Sequence, residues 1–165
     1  MEVNRLKIKE EKFMNSDISN GLRSVIGETY ESLKKYDDKT MSFNPAPGKW
    51  SVKEIIGHLI DSAANNHHRF IRARQEEIFV FPNYEQAFWV NAQHYNKSDW
   101  PFLLELWKNY NMHLATVIDT IPQDQQQTEC RIGNYEPVTL EFLCEDYVDH
   151  IKHHLKQIYN ILDKT

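Results

Sequence analysis

Two histidines stand four residues apart in the run Asp149-His150-Ile151-Lys152-His153-His154. They lie in a segment whose apolar residues, Leu140, Leu143, Cys144, Tyr147, Ile151, Leu155, Ile158, Ile161 and Leu162, recur at steps of three and four. That period belongs to a helix with one buried stripe. On a wheel of roughly 100° per residue, His154 falls near the middle of the stripe, His150 at its edge and His153 well away. Side chains at i and i+4 lie one above the other on a helix, so the imidazoles of His150 and His154 could converge on one metal ion. Histidines at this spacing also occur as packed core residues, and a third ligand elsewhere would separate the two cases.

A third ligand has to come from another element. Ser16-Asp17 is an N-cap signal for a first helix running to about Tyr36, with Ile18, Leu22, Val25, Ile26, Tyr30 and Leu33 inward. Residues 37–50 hold Pro45, Pro47 and Gly48 and read as a connection. Ser51-Val52-Lys53-Glu54 is a capping box that opens a second helix, expected to run to about Glu77 and to be broken by Phe79-Val80-Phe81-Pro82. A short helix is expected between Tyr84 and Tyr95, in a segment too aromatic for a solvated loop. Ser98-Asp99-Trp100-Pro101 opens a third long helix that Pro122 closes, and Thr139 can cap the last one. Residues 1–15 are charge-rich and decide nothing. Four long amphipathic helices joined by two long connections predict an all-α protein, a four-helix bundle with long crossover connections, as a single domain over residues 1–165.

Composition narrows the partners. With 19 Lys+Arg against 24 Asp+Glu the formal charge is −5, so the basic surface that nucleic acid requires is missing. No apolar run approaches a membrane span and the first residues hold no apolar leader, which predicts a cytoplasmic protein with no membrane partner. Cys130 and Cys144 show no framework spacing and are expected as reduced, packed thiols.

On the second helix His58 and His67 compete for the third ligand position. The wheel places His67 nearer the apolar stripe and His58 on a polar flank with Ser62, Asn65 and Arg69, so periodicity favours His67. The stretch Lys49-Trp50-Ser51-Val52-Lys53-Glu54-Ile55-Ile56-Gly57-His58-Leu59-Ile60-Asp61-Ser62, with Arg69-Phe70 and the distant Asp149-His150-Ile151-Lys152-His153-His154-Leu155-Lys156-Gln157-Ile158, resembles the DinB-like superfamily. Within it the chain is most similar to the metal-dependent hydrolase branch, whose relatives include bacillithiol and mycothiol S-transferases. The resemblance implies a bundle that holds a divalent metal through one histidine of the second helix and two of the last, here His58, His150 and His154. It also implies a homodimer.

Three neutral imidazoles leave a coordination position open, as catalytic zinc sites do, and imidazole suits nickel as well as zinc. Such a site favours a small-molecule substrate attacked by water or by a low-molecular-weight thiol. Ile151 stands where a zinc protease of the His-Glu-x-x-His kind carries its glutamate, so peptidase activity is disfavoured. Glu54 and Asp146, each one turn before a candidate ligand, are expected acceptors for the outer ring nitrogens, or else surface carboxylates. Residues 79–95, with Tyr84 and Trp89, could cover the site. Arg69, Arg72 and Arg74 could receive an anion, although a solvated helix end accounts for them more simply. The competing reading is a metal-binding or stress-related interaction protein without turnover.

Overall fold

The computed structural model describes residues 16–164, so residues 1–15 lie outside it. In chain order the helices are α1 (Ser16–Leu33), α2 (Asp38–Ser42), α3 (Val52–Arg72), α4 (Gln86–Gln93), α5 (Trp100–Asp119) and α6 (Leu140–Leu162). Short strands β1 (Ile78–Phe81), β2 (Glu129–Ile132) and β3 (Val138–Thr139) lie between them. The long helices start where their polar caps stand. Ser51 Oγ accepts from the Glu54 amide while the Glu54 carboxylate accepts from the Ser51 amide at 2.7 Å, closing the capping box. Asp99 caps α5 through the Phe102 amide and Thr139 caps α6 through the Phe142 amide.

The ends differ more. Helix α1 stops at Leu33, short of Tyr36, and α3 stops at Arg72, with one tighter turn over Ala73–Gln75 before the chain leaves it. The connection at 37–50 contains α2, capped by Asp37.

Helices α5 and α6 each pack against both α1 and α3. The successive long helices α1 and α3 therefore occupy diagonal positions, as do α5 and α6. A simple up-and-down chain would place successive helices side by side. The bundle is the predicted all-α core, and a minor sheet is added to it. Strand β1 runs parallel to β2 with Phe79 opposite Cys130, and β2 runs antiparallel to β3 with Cys130 opposite Val138. The expected helix break at 79–82 is thus largely a strand. It ties the connection after α3 to the one after α5, and both Phe79 and Cys130 are fully buried.

Helix α3 is the element most enclosed by the rest. From Ser51 to Ala63 every residue except Glu54 is buried, because α5, α6, α4 and the turn at Tyr95–Lys97 all lie against it. Even Lys53 is 1% exposed, its ammonium donating to Asp38 Oδ1 at 2.6 Å and to the Ser98 carbonyl at 2.7 Å. Asp38 also accepts from the Trp100 amide, so one buried charge joins α2, α3 and the start of α5. Gly57 lets the Tyr95 ring lie directly on the α3 backbone: a Cβ there would come within 2.1 Å of Tyr95 Cδ2. The Tyr95 hydroxyl donates to Asp61, which also accepts from Gln93.

Candidate metal centre

The polar flank of α3 points inward. His58 is fully buried, and Ser62 and Asn65 beside it are nearly so. Helix α6 lies across that flank and brings its paired histidines to it. His58 Nε2 stands 3.2 Å from His150 Nε2, which stands 3.1 Å from His154 Nε2. Donor atoms of the three residues all lie within 4.8 Å of one another. A tetrahedral zinc ion with bonds of about 2.0–2.1 Å keeps its ligand nitrogens about 3.3 Å apart, close to the spacing of these contacts.

Hydrogen bonding at the outer nitrogens orients the cluster. Gln157 Oε1 lies 2.9 Å from His154 Nδ1, and because that oxygen can only accept, the proton sits on Nδ1 and Nε2 presents a lone pair. His150 Nδ1 faces Ser62 Oγ at 3.4 Å. One ring nitrogen has a single in-plane site, so His150 Nε2 cannot satisfy both neighbouring nitrogens by hydrogen bonding. A cation between them would satisfy all three, and the donor set fits a divalent ion. The Trp50 ring packs 5.3 Å from that of His58 and walls the cluster on one side.

Burial keeps the imidazoles neutral, the form that ligates. It pulls His58 down to about 3, helped by the neighbouring His154 and His150, and His150 down to about 4, helped by His154 and His153. His154 is lowered too, again chiefly by burial, with its bond to Gln157 acting in the opposite sense. Depressed values on basic groups mean that the unfolded chain takes up protons first. The stabilising contribution is therefore complete above the ordinary histidine value of 6.5 and is lost as pH falls toward the folded values. The urea midpoint of metal-free protein is expected to fall steeply between about pH 6.5 and 4. An unchanged midpoint across that window would show that the rings are not held neutral.

The other candidates fall elsewhere. His67, which the wheel favoured, hydrogen-bonds the Tyr110 hydroxyl at 3.2 Å and packs on His113, away from the α6 pair. His153 is exposed and meets Gln157 Nε2. Glu54 does not serve His58: its carboxylate is held by Ser51 and by Asn44 Nδ2, while His58 Nδ1 is buried without a hydrogen-bond partner among the described residues. Asp146 is exposed, and Ser62 takes the place expected of it beside His150. Ser62 and Gln157 were missed, although each lies within one helical turn of a candidate ligand.

Two cavities adjoin the cluster. One of about 560 Å³ has His150, Ser62, Tyr84 and Arg69 in its walls, and one of about 460 Å³ borders His154 and Trp50. Tyr84, from the segment expected as a cover, lines the larger cavity with Trp89 packed against its ring at 5.1 Å. Burial pushes the Tyr84 hydroxyl up to about 12, so it stays a neutral donor.

Among characterised sequences, the chain is 24% identical over 142 residues to the candidate metal-dependent hydrolase YfiT of Bacillus subtilis (strain 168), covering 83% of this chain and 78% of that one. It is 27% identical over 94 residues to the candidate metal-dependent hydrolase OB0413 of Oceanobacillus iheyensis, about half of each protein. The solved structure of YfiT, described as an unusual four-helix bundle topology, superposes with a TM-score of 0.79 at 22% identity, covering 99% of this chain and 93% of that one. The model of the DinB superfamily matches residues 22–158, from within α1 to within α6. Spanning all four long helices in this way, the match shows that the chain belongs to the DinB superfamily.

Proposed function

We propose that His58, His150 and His154 hold a divalent cation, zinc or nickel, and that the protein is a metal-dependent enzyme acting on a small molecule. The observation that carries this reading is the convergence of three Nε2 atoms beside a cavity large enough for a substrate. A divalent ion bound by three neutral imidazoles supplies Lewis acidity at its open position, which makes a bound water or thiol a nucleophile near neutral pH. The chain's own contribution is orientation: Gln157 and Ser62 fix the rings of His154 and His150, and Trp50 keeps water from one side of His58.

No carboxylate is among the hydrogen-bond partners of the three imidazoles in the described residues. That favours a nucleophile needing no separate general base, and a thiol is the better acid of the two. Transfer of a low-molecular-weight thiol to an electrophile is therefore the reaction we favour, with hydrolysis, the activity in the names of the two relatives, as the alternative. The cytoplasm, where small thiols stay reduced, suits it.

The test is a screen of metal-loaded protein against epoxides and haloaromatics with several small thiols, and against esters, amides and lactams without thiol. His154→Ala is the control. Thiol consumption at least tenfold faster than the control is expected. Hydrolysis that depends on His154, with no thiol reaction, would replace thiol transfer by the hydrolase reading. If neither reaction depends on His154, the non-enzymatic reading stands.

A further inference from the structure

The cavity beside His150 has a second chemical feature, at its other end. Helices α3 and α6 run antiparallel here: His58 and Ser62 face His150, and about two turns beyond Ser62 on α3 Phe70 packs on Tyr147, ring centroids 5.8 Å apart. Ser62, Asn66 and Arg69 come up on successive turns of α3 and all line the cavity. At 1.5 Å rise per residue, Arg69 lies roughly 10 Å along the helix from Ser62.

Arg69 is set apart from the other two arginines at this helix end. Arg72 stacks over Phe79 and Phe81 at the surface, and Arg74 is tied to Gln125 and Thr120. The Arg69 guanidinium lies 5.3 Å from the Phe81 ring centre, and the hydrogen bond it makes among the described residues is to Asn66 Oδ1, at 3.4 Å. Among the described residues its Nε is buried with no hydrogen-bond partner, and none of the ion pairs includes it. A planar cation with free donors, half-buried against an aromatic ring, is a preformed receptor for a carboxylate. The acidic residues of this cavity, Glu85, Glu136 and Asp146, are all exposed. Asp146 acts electrostatically on Arg69, and together the three acids repel a polyanion more strongly than a single negative charge.

Resting on the metal reading above, we infer that the substrate is an elongated molecule with a carboxylate, which pairs with Arg69 while its reactive group lies at the three imidazoles. Arg69 is then a specificity residue. Hydroxamates that differ only at the far end test this on zinc-loaded protein without relying on turnover. Suberic acid monohydroxamate carries a terminal carboxylate, whereas octanohydroxamate has the same chain without one. Calorimetry is expected to show wild type binding the carboxylate probe more tightly by roughly ten- to a hundredfold, the worth of a hydrogen-bonded charge. In Arg69→Gln the preference should vanish while octanohydroxamate affinity holds, and Arg69→Lys should keep part of it.

Equal affinity of the two probes for wild type overturns the inference and leaves the metal reading intact, as does a preference that survives in Arg69→Gln. Tripolyphosphate displacing the carboxylate probe more effectively than suberate does overturns the choice of a single carboxylate. Failure of both hydroxamates to bind wild type in a zinc-dependent way removes the metal reading and this inference together.

Discussion

Zinc or nickel binding, followed by calorimetric titration of tag-free protein, is expected to collapse in His58→Ala, His150→Ala and His154→Ala and to survive in His67→Ala and His153→Ala. The geometry sets the expectation. Three Nε2 atoms meet across α3 and α6, while His67 bonds Tyr110 and His153 faces solvent. Removing a hydrogen-bond partner of a metal ligand typically costs roughly 10- to 100-fold in affinity, and removing a ligand should cost more. Gln157→Ala then gives the intermediate case, since it frees the His154 ring without deleting a donor. Circular dichroism separates lost ligation from lost folding, which matters most for the fully buried His58. Equal retention of metal in all five variants would remove the site. Loss only in His67→Ala would return the third position to the residue the wheel preferred.

The second large effect should come from one added methyl group. Gly57→Ala improves helix propensity by about 1 kcal/mol, yet its Cβ would lie 2.1 Å from Cδ2 and 2.2 Å from Cγ of Tyr95. Those atoms are at the root of the ring, so a small rotation does not clear them. The ring is 6% exposed and its hydroxyl is held by Asp61, which leaves it nowhere to go without breaking a buried hydrogen bond. Overpacking of this kind costs about 1–3 kcal/mol or more. A net loss of about 2 kcal/mol corresponds to a Tm lower by roughly 4–8 °C in a domain of this size. The double variant Gly57→Ala with Tyr95→Leu should recover part of it. An unchanged or higher Tm in Gly57→Ala would show that Tyr95 can swing away freely. Because Gly57 adjoins His58, metal affinity is expected to fall along with stability.

How far the sequence reveals this molecule depends on the range of each interaction. The capping box at Ser51 and Glu54, the Asp99 and Thr139 caps and the apolar stripe of α6 are local, and all are found where the residue pattern puts them. The strands were not legible. Four residues that pair with others some fifty positions away leave no periodic trace, and Phe79-Val80-Phe81 read only as an interruption. The wheel misplaced the burial of His58 for a related reason. It equates a polar flank with solvent, whereas the flank of His58, Ser62 and Asn65 is covered by distant parts of the chain. Family resemblance, and not periodicity, pointed to His58. Similarly, the exposed or buried character of Arg69 depends on Phe81 and Tyr84, which belong to another segment, so its difference from Arg72 and Arg74 could not be read locally.

The diagonal placement of successive helices also governs the order in which the protein can assemble. His58 and His150 are 92 positions apart, and α3 has no lasting contact with α6 until nearly the whole chain exists. During synthesis, the early imidazole therefore waits in an incomplete bundle while its partners have yet to leave the ribosome. On the proposed metal reading, the nascent chain would have no complete set of three rings to offer an ion before α6 docks. Neighbours distant in sequence also raise the contact order above that of an up-and-down bundle, so this helical protein should fold more slowly than its secondary structure alone suggests.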